Sequence, residues 1–167
     1  MNEPSVYKNY FENYTSLVSE KDVLIAFTKQ EEILVDFLNS VSEENSMYAY
    51  AEGKWTLKEM LQHMIDTERI FSYRALAIAR KELATLPGFD ENLYVDNSYT
   101  NRRTWADLSE EIKTVRKATI FLFESFTEEM LQQVGNFSSS NGSANDIGFI
   151  IVGHVYHHIQ IAKERYL

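Results

Sequence analysis

Four histidines carry most of the chemistry that this sequence offers. Three fall in one short run, Gly153-His154-Val155-Tyr156-His157-His158, and the fourth, His63, lies far upstream. On a helix, residues four apart stand one turn above each other, so His154 and His158 can aim both imidazoles at a single point. The apolar series Ile147, Ile150, Ile151 and Ile161 runs through positions 154 and 158, which puts the pair on the face turned toward a core. Two unpartnered imidazoles there carry a desolvation cost, and a divalent cation removes it by taking their lone pairs. His63, between Met60 and Met64 on the core side of its own helix, supplies a third ligand from across that core. Three histidines leave one coordination position for water or substrate, as catalytic zinc sites do. The competing reading is a set of core histidines, each satisfied by one hydrogen-bond partner. His157 points about 100° away from His158 on the helical wheel and is read as a residue behind the ligands or at the surface.

Other polar residues offer smaller roles. Asp66 follows His63 closely enough to orient an imidazole from behind; with Glu68 and Arg69 it also fits a solvated charged face with local ion pairs. Arg69, Arg74 and Arg165 can each grip a carboxylate of a substrate or cosubstrate through paired N–H groups, although arginine on a helix surface needs no such role. Trp55 and Trp105, each beside a predicted helix start, read as packing residues. The chain has no cysteine, which excludes disulfides, thiolate ligands and a cysteine nucleophile. Sixteen Lys and Arg against 25 Asp and Glu give a net charge of −9, a field that repels nucleic acid and anionic lipid surfaces. The N-terminal stretch MNEPSVYKNYFENY lacks the apolar segment of an export signal, and no apolar run reaches bilayer length, so a cytoplasmic location away from membranes is expected.

The elements that must position these residues are helices. Only two prolines and six glycines interrupt 167 residues, a length that suits one domain spanning 1–167. From Lys21 to Val41 the apolar positions Leu24, Phe27, Leu34, Phe37, Leu38 and Val41 keep helical spacing. Thr56 with Glu59 reads as a capping box opening a second helix, with the stripe Leu57, Met60, Leu61, Met64, Phe71, Ala75 and Ile78, which ends near Arg80-Lys81. Residues 83–103 read as a long loop. Thr104 with Asp107 caps a third helix through about Ser125, a short helix follows from Thr127 to Gln133, and Ser138 to Ser143 reads as a turn before a last helix from Ala144 to Tyr166. No convincing alternating strand is visible. The expectation is an all-α four-helix bundle, with Tyr7, Tyr10, Phe11, Tyr14 and Leu17 as an N-terminal arm across it.

The run from Trp55 through His63 to Arg69, then Arg74, Ala79-Arg80, Leu86-Pro87-Gly88-Phe89-Asp90, Gly153-His154-Val155-Tyr156-His157-His158 and Glu164-Arg165-Tyr166-Leu167 resembles the DinB-like superfamily. The likeness is closest to its branch of metal-dependent hydrolases, which includes bacillithiol S-transferase-like proteins, and it extends from the first long helix to the C-terminus. It implies a four-helix bundle, often a homodimer, that holds nickel or zinc through three histidines, at His63, His154 and His158 by motif position. It further implies a small-molecule substrate and, in some relatives, a low-molecular-weight thiol as cosubstrate. Thiol S-transfer to a small electrophile is the leading expectation. Hydrolysis by metal-activated water and a non-catalytic metal- or ligand-binding bundle are the alternatives.

Overall fold

The computed structural model describes the chain from Val6 onward and its side chains from Phe11 onward; Glu3 and Pro4, and the side chains of Tyr7 and Tyr10, lie outside the described residues. Its elements are α1 (Val6–Thr15), α2 (Val23–Ser40), α3 (Glu43–Ser46), α4 (Leu57–Ala79), α5 (Glu91–Ser98), a 3-10 turn (Thr100–Arg102), α6 (Trp105–Glu124), α7 (Glu128–Leu131), β1 (Val134–Phe137), β2 (Ser140–Ser143) and α8 (Ala144–Arg165). Helices α2, α4, α6 and α8 form the bundle: α4 packs on α6 and α8, and α2 closes the ring against the same two.

Side-chain caps satisfy the orphan N–H groups at the starts of these helices. Asp22 accepts from Ile25 N–H, Thr104 from Asp107 N–H, and the boxes Thr56/Glu59 and Ser143/Asp146 are reciprocal. The predicted helix boundaries therefore hold to within a few residues for the four long helices. The N-terminal arm is the helix α1, packed along α8. Two expectations are corrected. The connection 83–103 contains α5, capped by Asp90, and the 3-10 turn. The Ser-rich turn is half of a hairpin in which β1 pairs antiparallel with β2, Phe137 opposite Ser140, so the reversal falls on Ser138-Ser139. Ser138 takes the positive φ of 54° that this two-residue loop demands.

Between two apolar layers the bundle holds one polar knot. Arg116 of α6 forks onto Glu68 of α4, Nε to Oε1 and Nη2 to Oε2, both at 2.9 Å, and its Nη1 donates to Gln30 of α2. The Gln30 amide in turn donates to the Val152 carbonyl of α8. All four helices meet in this network, and it fixes α8 two residues before His154. Glu68 is 2% exposed, so the sequence expectation of a solvated charge there is wrong. Glu68→Ala leaves the buried Arg116 charge without a carboxylate, with only Gln30 accepting from it, which is expected to lower unfolding free energy by about 3–5 kcal/mol; urea denaturation checks it, and a loss under about 1 kcal/mol contradicts it.

Candidate metal centre

Helix α4 presents His63 and α8 presents His154 and His158 on facing stripes, and the three rings meet. His63 Nε2 lies 3.0 Å from His154 Nε2, which lies 3.0 Å from His158 Nε2. All three residues are buried, and among the described residues they form the one cluster of potential ligand atoms close enough to share an ion. Metal–nitrogen bonds of about 2.0–2.1 Å put neighbouring ligand nitrogens roughly 3.0–3.4 Å apart, so the spacing suits one cation.

Hydrogen bonding among the rings alone does not satisfy them. A neutral imidazole has one donor and one acceptor nitrogen. His154 Nε2 faces two other Nε2 atoms, and its single proton or single lone pair serves one linear bond. His158 Nδ1 is buried with no hydrogen-bond partner, so Nε2 is that ring's only working nitrogen. Burial also keeps the rings neutral. Desolvation, with a smaller contribution from His157, pushes His63 down to about 4. Desolvation, then the neighbouring imidazoles, holds His154 and His158 well below the ordinary histidine range. Neutral rings offer lone pairs at neutral pH without first releasing a proton.

Aromatic and hydroxyl groups set the ring orientations. Trp55 packs on His63 with centroids 4.9 Å apart, and Tyr14 meets His154 edge-on at 5.4 Å. Thr67, one turn after His63, places its hydroxyl 3.5 Å from Nδ1. Tyr14 reaches the site because Gly153 lets α1 approach: a Cβ there would stand 2.1 Å from the Tyr14 carbonyl oxygen. Gly153→Ala is expected to push α1 outward, costing about 1–3 kcal/mol by overpacking. Unchanged thermal stability and an undisturbed Tyr14–His154 nuclear Overhauser contact would contradict this.

The other expected site residues are dispersed. His157 is half-buried with its ring on Tyr14 at 5.3 Å, and it is not among the convergent ligand atoms. Asp66 contacts no imidazole: it accepts from Gln62 beside Arg103, so Thr67 rather than Asp66 stands behind His63. Arg69 pairs with Glu111 at 2.6 Å on the surface, and Arg165 lies over Tyr50 outside the cavity that the histidines line. Arg74 alone of the three arginines lines a cavity with the histidines. That cavity, of about 690 Å³, is bounded by His63 and His154, by Tyr14, and by the aromatic rings Phe11, Phe71 and Phe89. Trp105, by contrast, is core: its indole N–H donates to the Leu38 carbonyl. Missed from the sequence were Tyr14 and Thr67 as neighbours of the rings; Thr67, four residues from His63, had the spacing to be found.

A four-helix bundle with three convergent histidines defines a recognisable class. Residues 26–162 match the family model described as the DinB superfamily, and the chain belongs to that superfamily. A protein of Oceanobacillus iheyensis named "Putative metal-dependent hydrolase OB0413" is 24% identical over 100 residues, which span 60% of this chain and 57% of that relative. Among solved structures, the fold is similar to YfiT from Bacillus subtilis, described as a probable metal-dependent hydrolase with an unusual four-helix bundle topology. That likeness has a TM-score of 0.69 at 12% identity, covering 98% of this chain and 92% of the other. It is also similar to the DinB-like protein YjoA of Bacillus subtilis, with a TM-score of 0.60 at 17% identity over 85% and 87% of the two chains. No described helix is long and apolar enough to cross a membrane.

Proposed function

We propose that this chain is a divalent-metal-dependent enzyme in which His63, His154 and His158 hold the ion and the adjoining cavity holds a small-molecule substrate. The observation that carries the reading is the meeting of three desolvated Nε2 atoms, two of them on residues, His63 and His154, that line that cavity. Nickel and zinc are the ions that the resemblance to the superfamily implies, and imidazole nitrogen suits both. A cation so held supplies Lewis acidity and lowers the pKa of a small nucleophile in the position that three protein ligands leave open.

The chain's own residues prepare the rest. Neutral imidazoles present their lone pairs directly, Trp55 and Tyr14 restrict ring motion and keep water from the ring faces, and Thr67 gives His63 Nδ1–H an acceptor. Phe11 and Phe71 give the apolar part of a substrate a surface beside the reacting end. Hydrolysis, with water as nucleophile, is the reading that the relatives' names support. Thiol S-transfer uses the same centre with a thiolate in the place of water, and without cysteine in the chain that thiol comes from solution.

The test uses protein purified without a histidine tag or nickel column. Elemental analysis is expected to find close to one divalent ion per chain, and turnover of activated esters and amides, or of a generic electrophile with added thiols, is expected to vanish on chelation and return with nickel or zinc. Turnover that needs no thiol selects hydrolysis; turnover that needs one selects transfer. Activity indifferent to chelation and to loss of His154 would overturn the proposal.

A further inference from the structure

Among the described residues, buried Lys and Arg have carboxylate partners, with one exception inside the cavity. Arg116 forks onto Glu68, and Lys58 pairs with Glu43. Arg74 is 2% exposed, yet among the described residues no carboxylate lies within ion-pair distance of it. Its Nη2 donates to the Pro87 carbonyl at 2.6 Å and to Ser138 Oγ at 3.2 Å, while among the described residues nothing accepts a hydrogen bond from Nε or Nη1. The guanidinium is caged by the rings of Phe71, Phe137 and Phe89 at 4.7, 5.6 and 5.9 Å. An unpaired charge so desolvated is costly, and an anion entering the cavity relieves the cost.

We propose that Arg74 anchors a carboxylate of the substrate, so that the cavity takes a small monoanionic carboxylic acid with an apolar body. The proposal rests on the reading of the cavity as the substrate site. The two bonds of Nη2 tie the Leu86–Phe89 segment to the hairpin turn; they occupy the nitrogen shared by both bidentate edges and leave Nε–H and the Nη1 hydrogens as single donors for a ligand. Arg74 follows His63 by eleven residues on α4, which brings it within about 20° of the same face and about 16 Å along the axis. An extended acid therefore lies along α4 over Phe71, with its carboxylate at Arg74 and its far end toward the histidines. Monoanionic carboxylate is favoured over phosphate because the guanidinium has only the separate donors Nε–H and Nη1 left, Glu91 also lines the cavity, and the chain carries −9 overall.

Calorimetric titration with 4-phenylbutanoate, its neutral amide and 3-phenylpropylphosphonate tests this, in chelator-treated and in zinc-loaded protein. The acid is expected to bind about tenfold to hundredfold tighter than the amide in both forms, as a charge-assisted hydrogen-bonded pair allows, and tighter than the phosphonate. Arg74→Met should bring acid and amide together. Because Arg74→Met also removes the bonds to Pro87 and Ser138, a wild-type readout accompanies it: the Arg74 Nε–Hε resonance should move with the acid and not with the amide. Equal binding of acid and amide, no acid binding at high millimolar concentration, a stationary Arg74 resonance, or a preference for the phosphonate would each overturn the proposal. So would an acid preference that requires zinc and survives in Arg74→Met, which would place the carboxylate on the ion. Protein that binds no metal but keeps the Arg74-dependent preference would refute the metal reading and uphold this one.

Discussion

His154→Ala is expected to abolish divalent-metal binding, with affinity falling by orders of magnitude and metal content dropping toward zero after dialysis. His154 is central: its Nε2 lies 3.0 Å from each of the other two, while both contacts are lost with its ring. Two remaining imidazoles on different helices leave an ion under-coordinated and exchangeable with water. His63→Ala and His158→Ala are expected to behave alike. His157→Ala is the discriminating control. Its ring packs on Tyr14 and lies 5.1 Å from the His158 ring without joining the convergent nitrogens, so affinity should fall by no more than the tenfold to hundredfold typical of a supporting neighbour. Metal stoichiometry by elemental analysis on the four variants, each checked for helicity by circular dichroism, decides it. A His157→Ala protein stripped of metal beside a loaded His158→Ala protein would reverse the ligand assignment.

The stripe and cap signals made the four bundle helices and the meeting of the histidines legible in the sequence, because both follow from 3.6-residue periodicity and from short-range hydrogen bonds such as Thr56 with Glu59. What escaped was long-range. The hairpin was hidden because Ser138 to Ser143 has turn composition throughout. Asn141-Gly142 looks like the reversal, yet both sit in β2, and Ser138 accepts a positive φ under tertiary constraint. Helix α5 buries only Val95, so it has no apolar stripe to read. Arg116 lies one turn after Ile112 on a buried stripe, an anomaly that signals a buried partner without identifying Glu68. Arg69, Arg74 and Arg165 were indistinguishable as residue types; only the rings around Arg74 and the carboxylate beside Arg69 separate them.

Acid should destabilise the metal-free protein well before its carboxylates protonate. Unfolded histidine titrates near 6.5, whereas His63 in the fold titrates at about 4 and His154 and His158 lie well below the ordinary value. Between those limits the unfolded chain binds protons that the native chain refuses, so unfolding is favoured progressively as pH falls. The contribution is fully retained above about pH 6.5 and erodes as pH drops through that window; His63 alone accounts for about 3 kcal/mol by pH 4. His157, whose pKa burial also lowers, acts in the same direction. Asp66 acts oppositely, since burial raises its carboxyl above the usual value and protonation relieves it, but one acid does not balance three desolvated imidazoles. Urea midpoints measured with chelator present are expected to fall steeply from pH 6.5 to 4.5, and to fall less in a His63→Leu, His158→Leu double variant. With metal bound the decline should be steeper, because protons then compete with the ion for the same nitrogens as well as favouring the unfolded chain. A midpoint constant across that window would mean that the three rings are not buried as neutral imidazoles, and the centre would have to be rebuilt around protonated histidines.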